Sequence, residues 1–338
     1  MKKIKYLFMR IFDFNYKAFF NTISELSEKT GKSKIFLFFD MVQCGLKYGA
    51  GYMDYKLIEF YNIEEKYRGT FITRGVNNAI VGERNNKDFV HFFDDKRDFN
   101  IKFEKYLGRK CLDMAKTDFS EFEKFIEGKD EIMVKPADDC CGRGVEKLKL
   151  KDYGSVKELY DFIKKENIHI AEDVIKQHSE MASLNPASVN TVRVVTLSAN
   201  GKSEIFYAAI RIGNGDFIVD NLNNGGMAAP VDVKTGKLTH VAFDKNQQLF
   251  EVHPNTNKQI KGFQIPFWKE SVEMVLEAAK EIPEVGYVGW DVSITENGPL
   301  LIEGNPFPGH DIIQMPYEMD GKTGMYKEYK EIIKRLTA

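Results

Sequence analysis

Three polar side chains near the C-terminal end have the types and spacing of a divalent-cation site. Asp291 lies in one apolar run, Tyr287–Thr295, and Glu303 ends the next run, Pro299–Glu303, with Asn305 two residues later. Magnesium in proteins is usually held by one or two carboxylates together with nucleotide phosphates, without an all-protein cage. One carboxylate beside a second carboxylate and a carboxamide therefore predicts a magnesium platform.

The elements expected to position these groups are two paired strands. The dipeptide Asn297-Gly298 between the two runs is typical of a β-hairpin turn. Because side chains alternate along a strand, Glu303 and Asn305 are expected on one face, with Gly304 letting the backbone pass close to a ligand. The alternative is that the polar groups simply face solvent. The apolar character of both runs disfavours it, since buried strands seldom carry unpaired acids.

A glycine-bearing loop follows a lysine in the middle of the chain. Lys135 ends a predicted strand, Glu131–Lys135, the loop runs from Pro136 to Gly144, and a second strand is predicted over Val145–Leu150. Backbone N–H groups of such a loop, together with the ammonium, can cover phosphates. Neither GxxxxGK[ST] nor GxGxxG occurs here, so the segment taken alone fits a surface hairpin equally well.

Two arginines occur in predicted strands that are otherwise apolar. Arg193 precedes the run Val194–Leu197, and Arg211 lies in Glu204–Ile212, ahead of a polar loop at 220–226. A guanidinium is always charged and requires a phosphate or carboxylate partner in such a place. A bound phosphate and a structural salt bridge both satisfy that requirement.

Composition limits the classes of function. A chain of 338 residues is long enough for roughly two domains with a sizeable core. Its 43% apolar and 29% charged residues indicate a globular protein, and a net charge of −2 gives no general attraction to nucleic acid. The cysteines have no CxxC spacing and are predicted to be reduced thiols of a cytoplasmic protein. They are Cys44, Cys111, Cys140 and Cys141.

The N-terminal twenty residues combine basic and aromatic side chains. Arg10 and Asp13 interrupt the segment before a signal-peptide core forms, and no apolar run approaches the roughly 20 residues of a membrane span. The segment suits contact with an anionic membrane surface. A core-packing helix with a solvated basic edge is the preferred account. The residues concerned are Lys2, Lys3, Lys5, Arg10 and Lys17 with Phe8, Phe12, Phe14, Phe19 and Phe20.

Periodicity predicts helices first and a mixed region afterwards. Residues 1–95 are expected to be mainly helical, with Ser33 capping a helix that runs through Ile35, Phe39 and Leu46. From about residue 94, short strands and helices alternate. The further predicted elements are helices over 118–126, 155–166, 268–281 and 324–336, strands over 168–174 and 217–219, and a β-meander over 228–265.

In this order the motifs resemble the ATP-grasp superfamily and, more narrowly, its sugar-transfer-associated family, which is related to α-L-glutamate ligases. The resemblance spans about residues 47–311 and implies an α+β ATP-grasp fold of two α+β subdomains that clasp ATP. The implied regions are an N-terminal helical segment (1–95), a subdomain with the glycine flap (96–174) and a subdomain with the metal-binding strands (175–338). The motifs are KYGAGYMDYKLIEFYN, VKPADDCCGRGV, NPASVNTVRVVT, DNLNNGG and GWDVSITENGPLLIEGNPFPG.

The resemblance implies how the nucleotide is held. Lys96 and Lys135 would grip the α- and β-phosphates, with Lys87 and Lys102 as alternatives to Lys96. The flap that covers ATP would include Gly142 and Gly144. The backbone of the hinge would contact adenine, and Glu180 would bind the ribose, with His178 competing for that role. The hinge residues are Glu172, Asp173 and Val174.

The resemblance also implies the catalytic roles. Arg193 would neutralise the γ-phosphate and the developing acyl phosphate, assisted by Lys135, while Arg211 and the loop 220–226 would face the acceptor. The metal, Mg²⁺ or Mn²⁺, would be held by Asp291, Glu303 and Asn305.

The implied reaction is ADP-forming ligation of a carboxylate to an amine through an acyl phosphate, in bacterial cell-surface polysaccharide biosynthesis. Its substrates would be small molecules such as an amino acid, a uronic acid or a sugar nucleotide. Two alternatives stay open: a kinase acting on a hydroxyl acceptor, and a nucleotide-binding partner of a polysaccharide assembly complex without turnover. The complete set of lysine, arginine and acidic residues disfavours the last.

Overall fold

The computed structural model describes residues 15–137, 144–215, 220, 222, 225–310, 312–316, 318 and 323–338. The chain forms two compact units, one of residues 1–79 and 314–327 and one of residues 80–313 and 328–338. The division into 1–95, 96–174 and 175–338 implied by the resemblance stays a prediction.

The first unit is helical in its described part, as the sequence predicted. Ser33 caps the second helix by accepting a hydrogen bond from Phe36 N, and Gly49 ends it in the left-handed region at φ 65°. The helices are α1 (Tyr16–Thr30), α2 (Lys34–Tyr48), α3 (Tyr52–Leu57), a 3₁₀ turn (Phe60–Asn62) and α4 (Glu65–Arg68), followed by α5 (Arg74–Arg84).

A buried ion pair holds the helices of the first unit together. Arg68 Nη1 lies 2.6 Å from Asp40 Oδ1, and Arg68 Nη2 donates to Phe60 O over 2.9 Å. Burial raises the pKa of the neighbouring Cys44 thiol to about 12, so this cysteine is an apolar core residue instead of a nucleophile. Residues 314–327 join this unit through Gln314, whose Oε1 accepts from Ile72 N over 2.8 Å.

The second unit starts with short helices and a small sheet. The four strands run in the order β1-β4-β2-β3, and every neighbouring pair is antiparallel. The elements are a 3₁₀ turn (Lys87–Phe89), α6 (His91–Asp94), α7 (Lys96–Lys102), α8 (Glu104–Leu107), β1 (Cys111–Asp113), α9 (Phe119–Ile126), β2 (Glu131–Lys135), β3 (Glu146–Lys149), a 3₁₀ turn (Leu150–Asp152), α10 (Val156–Lys165) and β4 (Ile170–Asp173).

A seven-stranded antiparallel sheet forms the rest of the second unit, in the order β11-β10-β5-β6-β7-β8-β9. Its most buried strand, β10, lies between β11 and β5 and contains Trp290, which packs against Phe93 and Phe103. The elements are α11 (Ser179–Leu184), β5 (Val192–Ala199), β6 (Lys202–Ile212), β7 (Met227–Val231), β8 (Ala242–Asp244), β9 (Leu249–Phe250), α12 (Trp268–Ala278), β10 (Tyr287–Thr295), β11 (Gly298–Asn305) and α13 (Tyr326–Thr337).

Where the structure describes them, these bounds confirm the predicted helices and strands to within a few residues, except that the strands of the predicted meander end at Phe250 and do not continue to residue 265. Residues 217–219, expected to extend the sheet, lie outside the described residues. Within the described part of the chain, no helix has the length and apolar character needed to cross a bilayer.

Candidate functional site

The predicted hairpin is present and places two acids opposite each other. Strands β10 and β11 pair antiparallel, with Asp291 opposite Glu303, and a bulge follows Asp291. Thr295 pairs with Gly298, so the two-residue turn consists of Glu296 and Asn297. The turn predicted from the Asn-Gly pair lies one position later, at Asn297 and Gly298. The hairpin therefore brings two of the three predicted metal ligands to one cross-strand position.

Asn305 lies at the end of β11, two residues after Glu303. Its side-chain oxygen accepts a hydrogen bond from Phe307 N over 2.8 Å. A carboxamide oxygen has a second lone pair, so this contact fixes its direction without using all of its acceptor capacity. At the intervening Gly304, a Cβ would lie 2.7 Å from Cδ1 of Phe93. The ring of Phe93 on α6 therefore occupies the space that a side chain at this position would fill.

Two arginines converge on Asp291 from the neighbouring strands. Arg193 on β5 is the cross-strand partner of Asp291 and donates from both Nε and Nη2, the latter over 3.0 Å. Arg211 on β6 donates Nη2 to the same carboxylate and Nε to Thr191 Oγ1 over 3.0 Å. Of the partners that the sequence left open for Arg193, the structure shows a carboxylate.

A third acid completes this cluster. Asp220 is buried, accepts from Thr191 N over 2.8 Å and from the Thr191 hydroxyl, and lies 3.8 Å from Arg211 Nε. Burial raises the pKa of Asp220 and outweighs the opposing effect of Arg211 and Thr191. This residue of the predicted acceptor loop therefore fixes Arg211 and Thr191. Residues 221, 223 and 224 of that loop lie outside the described residues.

The two opposed acids differ in ionisation. Burial raises the pKa of Asp291, but Arg193 and Arg211 outweigh burial and lower it. Burial and the nearby Asp291 charge raise the pKa of Glu303, and they outweigh the opposing effects of Arg211, Arg193 and Lys96. The charge of Asp291 is thus compensated by protein groups, whereas an added cation would stabilise the charge of Glu303.

Arg193 reaches Asp291 by passing over a glycine. A Cβ on Gly289 would lie 2.9 Å from Cδ and 3.2 Å from Nη1 of Arg193, and 3.3 Å from Cβ of Pro308. Only a residue without a side chain leaves this path open. Sequence reasoning missed this role, and a glycine inside an otherwise apolar strand was the available signal.

A second charged cluster lies on the small sheet. Lys135 at the end of β2 and Arg109 before β1 both contact the buried Glu172 on β4, with Lys135 Nζ 2.9 Å and Arg109 Nη2 3.1 Å from its carboxylate. Burial raises the pKa of Glu172, but the two cations outweigh it and bring the pKa to about 2. Glu172 is predicted to act in the hinge through its backbone. Its side chain is in addition the ion-pair partner of Lys135, the lysine predicted to bind phosphate.

Arg109 connects this cluster to the hairpin of β10 and β11. Its Nη1 donates to Leu301 O on β11 over 2.6 Å, two residues before Glu303. No motif marks Arg109 in the sequence, and its partners are 63 and 192 residues away, so pattern analysis had no means of finding it.

The other predicted hinge residues follow directly. Asp173 closes β4, donates its N–H to Lys110 O over 3.1 Å and accepts from Lys110 N over 2.9 Å. Val174 comes immediately after the strand and is half-buried. Contact of this backbone with adenine stays a prediction.

The predicted ribose residues lie at the start of α11. His178 accepts from Glu180 N over 3.1 Å, and Glu180 forms an ion pair of 3.2 Å with Lys258. Both line an open groove of ≈ 550 Å³, together with Phe263 and neighbouring residues. Lys135 and Asp291 are not among the residues that line this groove. Glu180 and His178 therefore line the same groove, and Lys135 and Asp291 of the two charged clusters do not line it.

Lys96 begins α7, where Asp95 caps the helix, and its backbone N–H donates to Ala137 O over 3.0 Å. Its charge opposes the raised pKa of Glu303, after the larger contributions of Arg211 and Arg193. The alternative Lys102 instead lies 3.9 Å from Glu281.

The described part of the flap is its two ends, at Lys135–Ala137 and Gly144. Gly144 has φ 67°, a left-handed conformation that suits glycine. Gly142 and the pair Cys140-Cys141 lie outside the described residues.

Comparison with known proteins identifies a family for this chain. Residues 76–331 match the family model described as sugar-transfer associated ATP-grasp. No curated protein matches the chain.

Solved structures with limited similarity include an ADP complex of N5-carboxyaminoimidazole ribonucleotide synthetase, with TM-score 0.41 and 11% identity over 70% of this chain and 51% of that one. D-cycloserine synthetase gives a TM-score of 0.43 and 10% identity, over 75% of this chain and 73% of that one. D-alanyl-alanine synthetase A from Vibrio cholerae O1 biovar eltor gives a TM-score of 0.42 and 13% identity, over 73% of this chain and 66% of that one. The chain spans about half the length of the first.

Proposed function

From the premise that this chain belongs to the sugar-transfer-associated ATP-grasp family, we propose that it is an ATP-dependent ligase that joins a carboxylate to an amine through an acyl phosphate. The single observation that carries the proposal is the cluster on β10: Asp291 faces Glu303 on one side and is contacted by Arg193 and Arg211 on the other. Acids for a cation and guanidinium groups for phosphate thus meet at one place.

The residues present fit Mg²⁺. Two carboxylates and a carboxamide oxygen, from Asp291, Glu303 and Asn305, form a hard-oxygen set that leaves coordination positions for phosphate oxygens and water. No group of three or more His, Cys, Asp or Glu residues suited to a metal ion occurs among the described residues, so a protein cage is absent from that part of the chain. When bound, the metal would draw charge from phosphoryl oxygens.

The arginines link metal binding to phosphate binding. Both oxygens of Asp291 accept hydrogen bonds from guanidinium groups. A metal cation bound to Asp291 would repel the guanidinium groups of Arg193 and Arg211, which favours release of one of them from this carboxylate. The guanidinium released in this way is then available to the terminal phosphate, which is a good bidentate partner for arginine.

Lys135 has a similar arrangement. The cluster of Lys135, Arg109 and Glu172 contains two cations and one carboxylate, so one positive charge remains for the α- and β-phosphates. Lys96, which acts electrostatically on Glu303, would supply the other charge. The adenine would lie at Glu172–Val174, with the flap residues Gly142 and Gly144 over the phosphates. Glu180 or His178 would bind the ribose.

The reaction has two balanced steps. An oxygen of the carboxylate substrate attacks the γ-phosphorus, the bond to the β–γ bridging oxygen breaks, and ADP leaves. The amine nitrogen then attacks the acyl carbon, the bond to the phosphate oxygen breaks, and phosphate leaves while the nitrogen loses a proton to water. Both steps gather negative charge on phosphoryl oxygens, which Arg193 and Lys135 stabilise without a covalent enzyme intermediate. Arg211 would face the acceptor.

The family description associates this fold with sugar transfer. We therefore place the carboxylate or the amine on a precursor of a bacterial cell-surface glycan, as a uronic-acid or amino-acid group, in the cytoplasm.

The test is a coupled ADP-release assay across amino acids and uronic acids, with product analysis. A ligase releases ADP and phosphate only when carboxylate and amine are both present. ADP release with a hydroxyl acceptor and a stable phosphorylated product would show a kinase, and the absence of release with every pair would contradict turnover.

A further inference from the structure

One face of α2 is apolar and exposed in the first unit. Ile35, Phe39 and Leu46 have 71%, 66% and 77% of their surface exposed, and Phe36 and Val42 lie on the same side. The opposite face of the helix supplies buried side chains, which are Leu37, Met41 and Cys44. An apolar stripe of this kind normally packs on a core. In α2 the other apolar stripe, of Leu37, Met41 and Cys44, already packs on the core of the first unit.

Aromatic contacts extend this face onto α1. Phe20 exposes about half of its surface. Its ring stacks on Phe38 with 6.3 Å between the centroids, and Phe38 in turn contacts Phe39 edge-on at 5.3 Å. The exposed side chains of two helices therefore form one continuous surface, which we call the α1–α2 apolar face: Phe20, Ile35, Phe36, Phe39, Val42 and Leu46.

Lysines border this face. Lys32 Nζ lies 5.6 Å from the centroid of the Phe36 ring, and Lys34, the neighbour of Ile35, donates to Ser24 Oγ over 3.1 Å. Two nearby acids already have cationic partners: Asp40 pairs with the buried Arg68, and Glu25 pairs with Lys56. Glu28 on α1 is exposed. The rim of the α1–α2 apolar face is therefore mainly basic.

The sequence shows the same bias over a longer range. Residues 1–48 contain nine Lys or Arg and four Asp or Glu, a formal charge of +5, whereas the whole chain carries −2. Such an asymmetry is typical of a segment that binds an anionic surface. A second copy of this chain is a poor partner, because it would bring the same lysines into opposition.

We propose that the α1–α2 apolar face binds an anionic phospholipid surface. Its apolar side chains enter the boundary between headgroups and acyl chains, and Lys32 and Lys34 contact the lipid phosphates, as an interfacial helix does. The inference rests on the first unit alone and does not depend on the ligase activity.

The test is flotation of the full chain with vesicles. Wild-type protein is expected to bind vesicles of phosphatidylcholine with phosphatidylglycerol and to bind pure phosphatidylcholine vesicles at least about tenfold less. Binding should weaken in about 1 M salt, where charges are screened beyond roughly 3 Å. The variant with Ile35→Ser, Phe39→Ser and Leu46→Ser should bind at least about tenfold more weakly.

The matched control is Ile101→Ser on α7, which is 67% exposed in the second unit and should bind as wild type does. A second variant, Lys32→Glu with Lys34→Glu, leaves the apolar side chains in place and should lose binding to the anionic vesicles. Circular dichroism checks that each variant is folded.

Equal binding by wild type and both variants, equal binding to the two vesicle types, or no binding by wild type would overturn the proposal. So would a wild-type dimer in sedimentation velocity without lipid that the triple serine variant converts to monomer, because the face would then be a self-association surface.

Discussion

Asp291 lies directly opposite Glu303 across β10 and β11, and the pKa values of the two acids shift in opposite directions. The difference arises because Arg193 and Arg211 contact Asp291, whereas Glu303 is buried near that negative charge. In this cross-strand pair the charge of Asp291 is thus compensated by two arginines, whereas an added cation would stabilise the charge of Glu303. That asymmetry is the physical basis for placing the metal and the terminal phosphate here.

Glu303→Gln is expected to lower ADP release by about 10²- to 10³-fold, the usual effect of losing one preorganised electrostatic group. The fold should persist, because burial and the nearby Asp291 charge both disfavour a negative charge at Glu303. Thermal unfolding and ADP release measure the two effects. Glu277→Gln, which removes an exposed ion pair with Lys280, is the control, and a fully active Glu303→Gln enzyme would remove the metal role.

Asp291→Asn is expected to lower the free energy of unfolding by about 3–5 kcal/mol. The substitution leaves Arg193 and Arg211 buried without their shared counter-charge, which is the costly case for buried ion pairs. Urea unfolding measures the change. Glu204→Gln, which removes the exposed pair with Arg335, should have a much smaller effect. Equal losses in the two variants would contradict the assigned energetic role of Asp291.

The pH dependence of stability should report the ionisation of Glu172. Its pKa falls from 4.5 to about 2 because Lys135 and Arg109 outweigh burial. A lowered folded pKa gives stability that is complete above the unfolded value and is lost as pH falls, by on the order of 3 kcal/mol between about pH 5 and 2. Glu172→Gln lacks this contribution. The stability gap between wild type and this variant should therefore shrink over that range, and a gap that stays constant would contradict the pKa shift.

Gly289→Ala is expected to displace Arg193 from Asp291, because the new methyl group would lie 2.9 Å from Arg193 Cδ. Overpacking of this kind typically costs about 1–3 kcal/mol, and ADP release should fall as well. Gly82→Ala is the matched control, since no heavy atom lies within 4 Å of its Cβ and the residue is helical. That change should leave activity unaltered and raise stability slightly, by up to about 1 kcal/mol. An unaltered Gly289→Ala enzyme would show that the path of Arg193 is not restricted.

Local patterns predicted the elements well. The Ser33 cap, the helical first part of the chain and the hairpin of Asp291 and Glu303 all depend on residues that are near neighbours in sequence. The alternation of side chains also predicted that Glu303 and Asn305 lie on one strand and share a face, and both are in β11.

Long-range contacts were beyond such patterns. Arg109 contacts Glu172 and Leu301 only because β1, β4 and β11 come together in the folded chain. For the same reason the sequence left the partner of Arg193 open and did not indicate the buried contact between Asp220 and Thr191. The sequence also did not show that Phe93 packs against Gly304, since periodicity does not indicate which helix packs on a strand.

The most direct measurement is a crystal structure of the protein with Mg²⁺ and a non-hydrolysable ATP analogue. We predict metal density between Asp291 and Glu303, the terminal phosphate within hydrogen-bond distance of Arg193, and the α- and β-phosphates near Lys135. A nucleotide bound elsewhere, with Asp291 still held by both arginines and Glu303 contacting only water, would contradict the account.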